Sequence, residues 1–154
     1  MSRPIAAAVA ALALALALPA AAFAASGSIS DPSGDYPDIL KLAYANKSGK
    51  VVMTMTYGGA RPQNESFYIK YGEPKNYQVF VSSGIGTKEL RFNSRKVPCS
   101  GLSVSHDAAL LQTKVVVPRS CLSKAPNKLR FQGVATEGLY SSDKTALSPW
   151  VKRG

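Results

Sequence analysis

Acidic residues are scarce in this chain. Nine serve all 154 positions, alongside one histidine, one tryptophan and two cysteines. A single histidine leaves acid–base or triad chemistry one candidate imidazole, His106. Two cysteines, Cys99 and Cys121, supply at most half a metal site, and their spacing excludes a CxxC redox pair. Beyond the N-terminus there are no internal repeats, no low-complexity runs, no helical period and no second apolar run long enough to span a membrane.

The first 24 residues are organised differently from the rest. Arg3 is their only charge, and Ile5 to Leu18 is an unbroken apolar run of 14 residues. Pro19 ends it, and Ala22-Phe23-Ala24 places small residues where a signal peptidase reads. A membrane span needs about 20 residues. The layout therefore predicts a signal peptide at 1–24, cleaved after Ala24, and a secreted, extracellular protein. Cleavage after Ala25 would leave the rest unchanged. No lipobox cysteine follows the run, so no lipid anchor is expected.

Removing those 24 residues leaves 130, one domain able to bury a core. Without Arg3 the 19 basic residues become 18 against 9 acids, a net +9. Such a balance raises nucleic acid as a partner, but export argues against it. Outside a cell the available anions are cell-wall polymers, acidic polysaccharides and lipid headgroups. The basic residues are spread along the chain, a pattern that also serves solubility alone. In an oxidising compartment Cys99 and Cys121 are expected to form one disulfide. It closes a loop of about 23 residues, contributing about 3 kcal/mol through the unfolded state.

Ala25 to Ser30 is small and polar and reads as a flexible lead-in, with the folded domain at 31–154. Val51, Met53, Met55 and Tyr57 alternate with Val52, Thr54 and Thr56, the period of a half-buried strand. Ile39 to Ala45 precedes it across the turn Asn46-Lys47-Ser48-Gly49, giving a hairpin. Further strands are expected at Phe67–Tyr71, Tyr77–Val81, Lys88–Phe92, Leu102–Val104, Leu110–Val117 and Leu129–Ala135. The two cysteines would sit at the open end of the hairpin between them, which brings its ends together. Thr136 to Gly154 is weakly patterned, with Trp150 as its candidate anchor. About eight strands at roughly ten-residue spacing predict an all-β antiparallel sandwich.

Candidate chemistry is thin. Asp31, Asp35 and Asp38 are hard oxygen donors suited to calcium, and Pro32 and Gly34 permit a tight turn around an ion. Their spacing of four then three does not match an EF-hand. The competing reading is a polar turn whose Asp side chains accept backbone N–H groups before the strand at Ile39. Ser105-His106-Asp107 cannot act easily as a triad, since successive strand side chains point to opposite faces. Tyr68 opposes Phe67 and Ile69 on its strand and shares a face with Lys70, so the two are candidate ligand-binding residues for a sugar or acidic polysaccharide. Tyrosines that merely close the edge of a core are the alternative.

Two stretches carry a resemblance. "DPSGDYPDILKLAYAN" with "KVVMTMTY" resembles the opening of a family of small exported bacterial β-sandwich proteins of uncharacterised role. "VPCSGLSVSHDAALLQTKVVVPRSCL" resembles their disulfide-closed hairpin, and "SPWVKRG" their close. The D…GD…DI start is also similar to DOMON and family-nine carbohydrate-binding-module sandwiches. That likeness implies calcium at Asp31, Asp35 and Asp38, and sugar or haem as ligand. Met53 and Met55 on an apolar face and His106 in a turn argue against haem.

The expectation is a secreted, non-enzymatic β-sandwich acting as an extracellular or cell-surface binding or structural module, with polysaccharide as candidate partner. The alternatives are a small secreted hydrolase using carboxylates near Asp35 and Asp38, or a protein-binding module presenting the loop Gly58–Ser66.

Overall fold

The computed structural model describes residues 25–32, 34, 36–139 and 141–154. The expected signal peptide and Asp35 lie outside them. The strands are β1 Ala25–Ser30, β2 Ile39–Asn46, β3 Lys50–Tyr57, β4 Asn64–Lys70, β5 Asn76–Ser82, β6 Thr87–Phe92, β7 Arg95–Val97, β8 Ser103–Asp107, β9 Gln112–Pro118, β10 Lys128–Glu137, β11 Ser141–Lys144 and β12 Val151–Lys152. A 3₁₀ turn spans Arg119–Cys121. One antiparallel sheet has the order β1-β2-β3-β9-β8, and the other β11-β10-β4-β5-β6-β7 with β12 also paired to β10. Two antiparallel sheets around one core make the β-sandwich expected from the alternation.

The period of two decides what is buried. Val51, Met53, Met55 and Tyr57 of β3 are each 2% exposed or less, and Phe67 and Ile69 of β4 and Leu129 and Phe131 of β10 are fully buried. Tyr44 of β2 and Phe131 of β10 stack across the sheets with ring centroids 5.0 Å apart. Close approach here depends on Gly133: a Cβ on it would lie 2.5 Å from the Met55 sulfur. Cys99 and Cys121 are bonded, with Cα atoms 5.2 Å apart, and both pack against the core. Replacing both by Ala is expected to lower unfolding free energy by about 3 kcal/mol, read by urea titration, because the unfolded chain regains the freedom of the closed loop. A loss under about 1 kcal/mol would contradict that account.

Four short strands go beyond the expected set. Ala25 to Ser30 is not a flexible lead-in but the edge strand β1, in register with β2 from Ala25↔Asn46 to Ser30↔Lys41. Its small residues suit this place: a Cβ on Gly27 would meet the Tyr44 hydroxyl at 2.6 Å, while Ile29 packs on the core. β7 follows β6 through Asn93 and Ser94, both at positive φ, so a two-residue turn forms without glycine. β11 and β12 are polar or very short and carry no period. Trp150 is not the C-terminal anchor; it is 55% exposed, and its neighbour Val151 is buried instead. Among the described residues no helix is long and apolar enough to cross a membrane.

Candidate functional site

At one end of the seven-stranded sheet, the end of β4, the β4–β5 turn and the segment before β12 enclose a groove of about 390 Å³. Lys70, Tyr71, Lys75, Arg130 and Trp150 line it, with Glu73 the one acid among the described residues of its walls. A volume of this size is ordinary for a ligand site. The segment carrying Trp150 is fixed to β10 by hydrogen bonds at Thr145 and Ser148. Ser148 donates its amide to Phe131 O at 2.9 Å and accepts from the Phe131 amide at Oγ at 2.8 Å. Thr145 repeats that exchange at Gly133, with distances of 3.0 and 3.0 Å. Arg130 donates Nε to Ser148 O at 2.7 Å and lies over the Trp150 ring, 5.8 Å from its centroid. The indole is thus held exposed by a rigid frame and faces a guanidinium.

The sequence-selected pair lies beside this groove. Tyr68 and Lys70 share the outer face of β4, with Lys70 Nζ 5.5 Å from the Tyr68 ring centroid and donating to Gln132 Oε1 at 2.8 Å. Gln132 in turn donates to Thr145 O at 2.9 Å. Burial, then the neighbouring Tyr77, pushes Tyr71 up to about 12, so its phenol stays a neutral donor. The Tyr71 hydroxyl oxygen is buried and makes no hydrogen bond among the described residues. A stacking ring and three cations, Lys70, Lys75 and Arg130, around one groove are groups that bind a sugar ring bearing an anionic substituent.

The other sequence candidates stand elsewhere. Asp31 and Asp38 flank the segment leading into β2, and Asp35 lies outside the described residues. The Asp31 amide donates to Leu40 O and the Gly58 amide to Asp38 O. The amide at Ile39 is capped not by an Asp of its own segment but by Asp143 Oδ2 at 2.7 Å, from β11. Among the described residues no three His, Cys, Asp or Glu side chains gather as a metal group. Asp107 behaves as a turn former, accepting at Oδ1 from the amides of Ala109 and Leu110, both at 3.0 Å. His106 is at the end of β8, with Nδ1 3.1 Å from Thr113 Oγ1. The loop proposed for protein binding is shorter than expected: Asn64 to Ser66 belong to β4, and Pro62 is buried.

That region holds what sequence reasoning missed. Glu65 is fully buried on the inward face of β4. It accepts from the Tyr57 hydroxyl at 2.5 Å and, at Oε2, from Arg61 Nε at 3.2 Å and Nη2 at 2.8 Å. The signal was available, because Glu65 is in phase with Phe67 and Ile69. Burial first, then the Glu65 charge and its hydrogen bond, hold the Tyr57 phenol far above its ordinary value of 10.0. A phenol raised in the folded state contributes stability that is complete below the unfolded value and is lost as pH rises past it. Melting temperature is therefore expected to fall above about pH 10, and less steeply in Tyr57→Phe. Parallel curves for the two proteins would contradict the assignment.

No protein-family model matches this chain, and no curated protein matches it either.

Proposed function

We propose that the protein is an exported, non-enzymatic β-sandwich that binds an acidic polysaccharide of the cell wall or extracellular space. The observation that carries this reading is the exposed Trp150, framed by β10 and facing Lys70 and Arg130 across one groove. The Tyr68 and Lys70 face extends the surface along β4. The indole offers a platform for the apolar face of a sugar, and the cations offer partners for its carboxylates or sulfates. Export is supported by the layout of residues 1–24 and by the Cys99–Cys121 bond, which belongs to an oxidising compartment.

Trp150 is the only tryptophan, so its emission reports the groove directly. Titration with a uronic-acid oligosaccharide is expected to shift that emission to the blue and to saturate, while the neutral oligomer of the same length gives little change. Equal responses to both, or none to either, would overturn the proposal.

A further inference from the structure

We propose that the opposite end of the sandwich carries a second, separate site, for a small oxyanion of the phosphate or sulfate class, held by Arg61, Lys88 and His106. These three side chains line one opening of about 210 Å³, together with Ser82, Ser83 and Val104. They arrive from three places in the fold. Arg61 lies on the connection that crosses from β3 in one sheet to β4 in the other, Lys88 on β6, and His106 on β8, the edge of the five-stranded sheet. The opening therefore sits on the seam between the sheets. Arg61 precedes the start of β4 and Lys70 ends it, so about 20 Å of strand separates this site from the Trp150 groove.

Three features fit an anion. The first is that Arg61 is pre-oriented. Glu65 is fully buried and spends two of the five guanidinium N–H groups on one of its oxygens, which fixes the plane and leaves the others for a ligand. The Arg61 side chain remains 25% exposed, so it reaches the opening while paired. Its loop is tied down in turn: the Ser83 amide donates to Gln63 O at 2.9 Å, and Ser83 Oγ bonds Pro62 O and Gln63 O at 3.2 and 3.1 Å.

The second feature is charge. Among the described residues Lys88 makes no ion pair and no acid lines the opening. The nearest carboxylate in sequence to His106 is Asp107, which is turned into its own loop. The third is the imidazole. His106 Nδ1 is engaged by Thr113, which leaves Nε2 as the ring atom for a ligand. A guanidinium, an ammonium and an imidazole around an opening this small suit the several acceptor oxygens of a tetrahedral oxyanion.

The test uses the fact that His106 is the only histidine. Its ring Cε1–H proton resonance is followed while sodium phosphate is added to the purified protein, with sodium chloride at matched ionic strength as control. A saturable shift is expected with phosphate alone, with a midpoint of about 1 mM. Arg61→Lys keeps the charge but loses the planar fork and is expected to weaken binding about tenfold. Lys88→Ala, remote from the buried pair, is expected to weaken it about threefold and stands in if the Arg61 variant does not fold. Trp150→Ala leaves the midpoint unchanged, which keeps this site distinct from the polysaccharide groove. Displacement of phosphate by a sulfated oligosaccharide would assign the oxyanion to a polymer substituent, and no displacement would assign it to a free ion. A linear shift, a shift equal in chloride, or variants that match the parent would overturn the site.

Discussion

Arg61→Ala is expected to lower unfolding free energy by about 3–5 kcal/mol at neutral pH, as read by urea denaturation. The change removes little packing, because Arg61 is partly exposed. Its effect falls on Glu65, which is fully buried and would keep only the Tyr57 hydroxyl as a partner. A carboxylate left in an apolar interior without its cation carries most of its desolvation cost uncompensated. Exposed ion pairs behave otherwise and contribute about 0.2–1 kcal/mol. The Glu89 pair with Lys96, whose amine is largely exposed, serves as that internal comparison. Arg61→Met combined with Glu65→Leu is expected to recover most of the loss, since two apolar groups replace both charges at once. If Arg61→Ala costs under about 1 kcal/mol, the buried pair does not hold this end of the sandwich in the manner described.

The fold was legible where one face of a strand is buried and the other is wet. Val51 to Tyr57 shows this best: the residues alternate in chemistry, and the structure buries the set that the period of two selects. Legibility failed where pairing is made by backbone alone. Ala25 to Ser30 has almost no apolar side chain to place, yet its amides and carbonyls pair with the edge of β2. Ser141 to Lys144 pairs with β10 in the same way, through polar residues that read as loop. Asn93-Ser94 hid β7 because a primed turn is usually announced by glycine.

The candidate sites divide along a similar line. Tyr68 and Lys70 could be selected because strand geometry places residues two apart on one face. Trp150 and Arg130 could not be joined to them, being 80 and 60 positions further along from Lys70. Their meeting depends on how the last segment runs along β10, through Thr145 and Ser148. Glu65 is the opposite case, an acid in an inward position that the alternation itself marks. Its partners, Tyr57 and Arg61, are close in sequence, and the chain reversal between β3 and β4 brings all three together.

The central claim is that the Lys70, Arg130 and Trp150 groove, rather than the net positive charge, binds acidic polysaccharide. Two double variants that each remove two positive charges separate these explanations. Lys70→Ala/Arg130→Ala takes two of the three cations from the groove, whereas Lys41→Ala/Lys50→Ala removes exposed lysines of the five-stranded sheet. Affinity for a polyuronate, measured by calorimetry at physiological salt where long-range attraction is largely screened, is the decisive quantity. The groove variant is expected to bind about tenfold more weakly than the parent, and Trp150→Ala about thirtyfold, as for a buried aromatic anchor contributing about 2 kcal/mol. The control variant should stay within about twofold. Equal losses in the two double variants would contradict the account and leave only attraction between a basic protein and an acidic polymer.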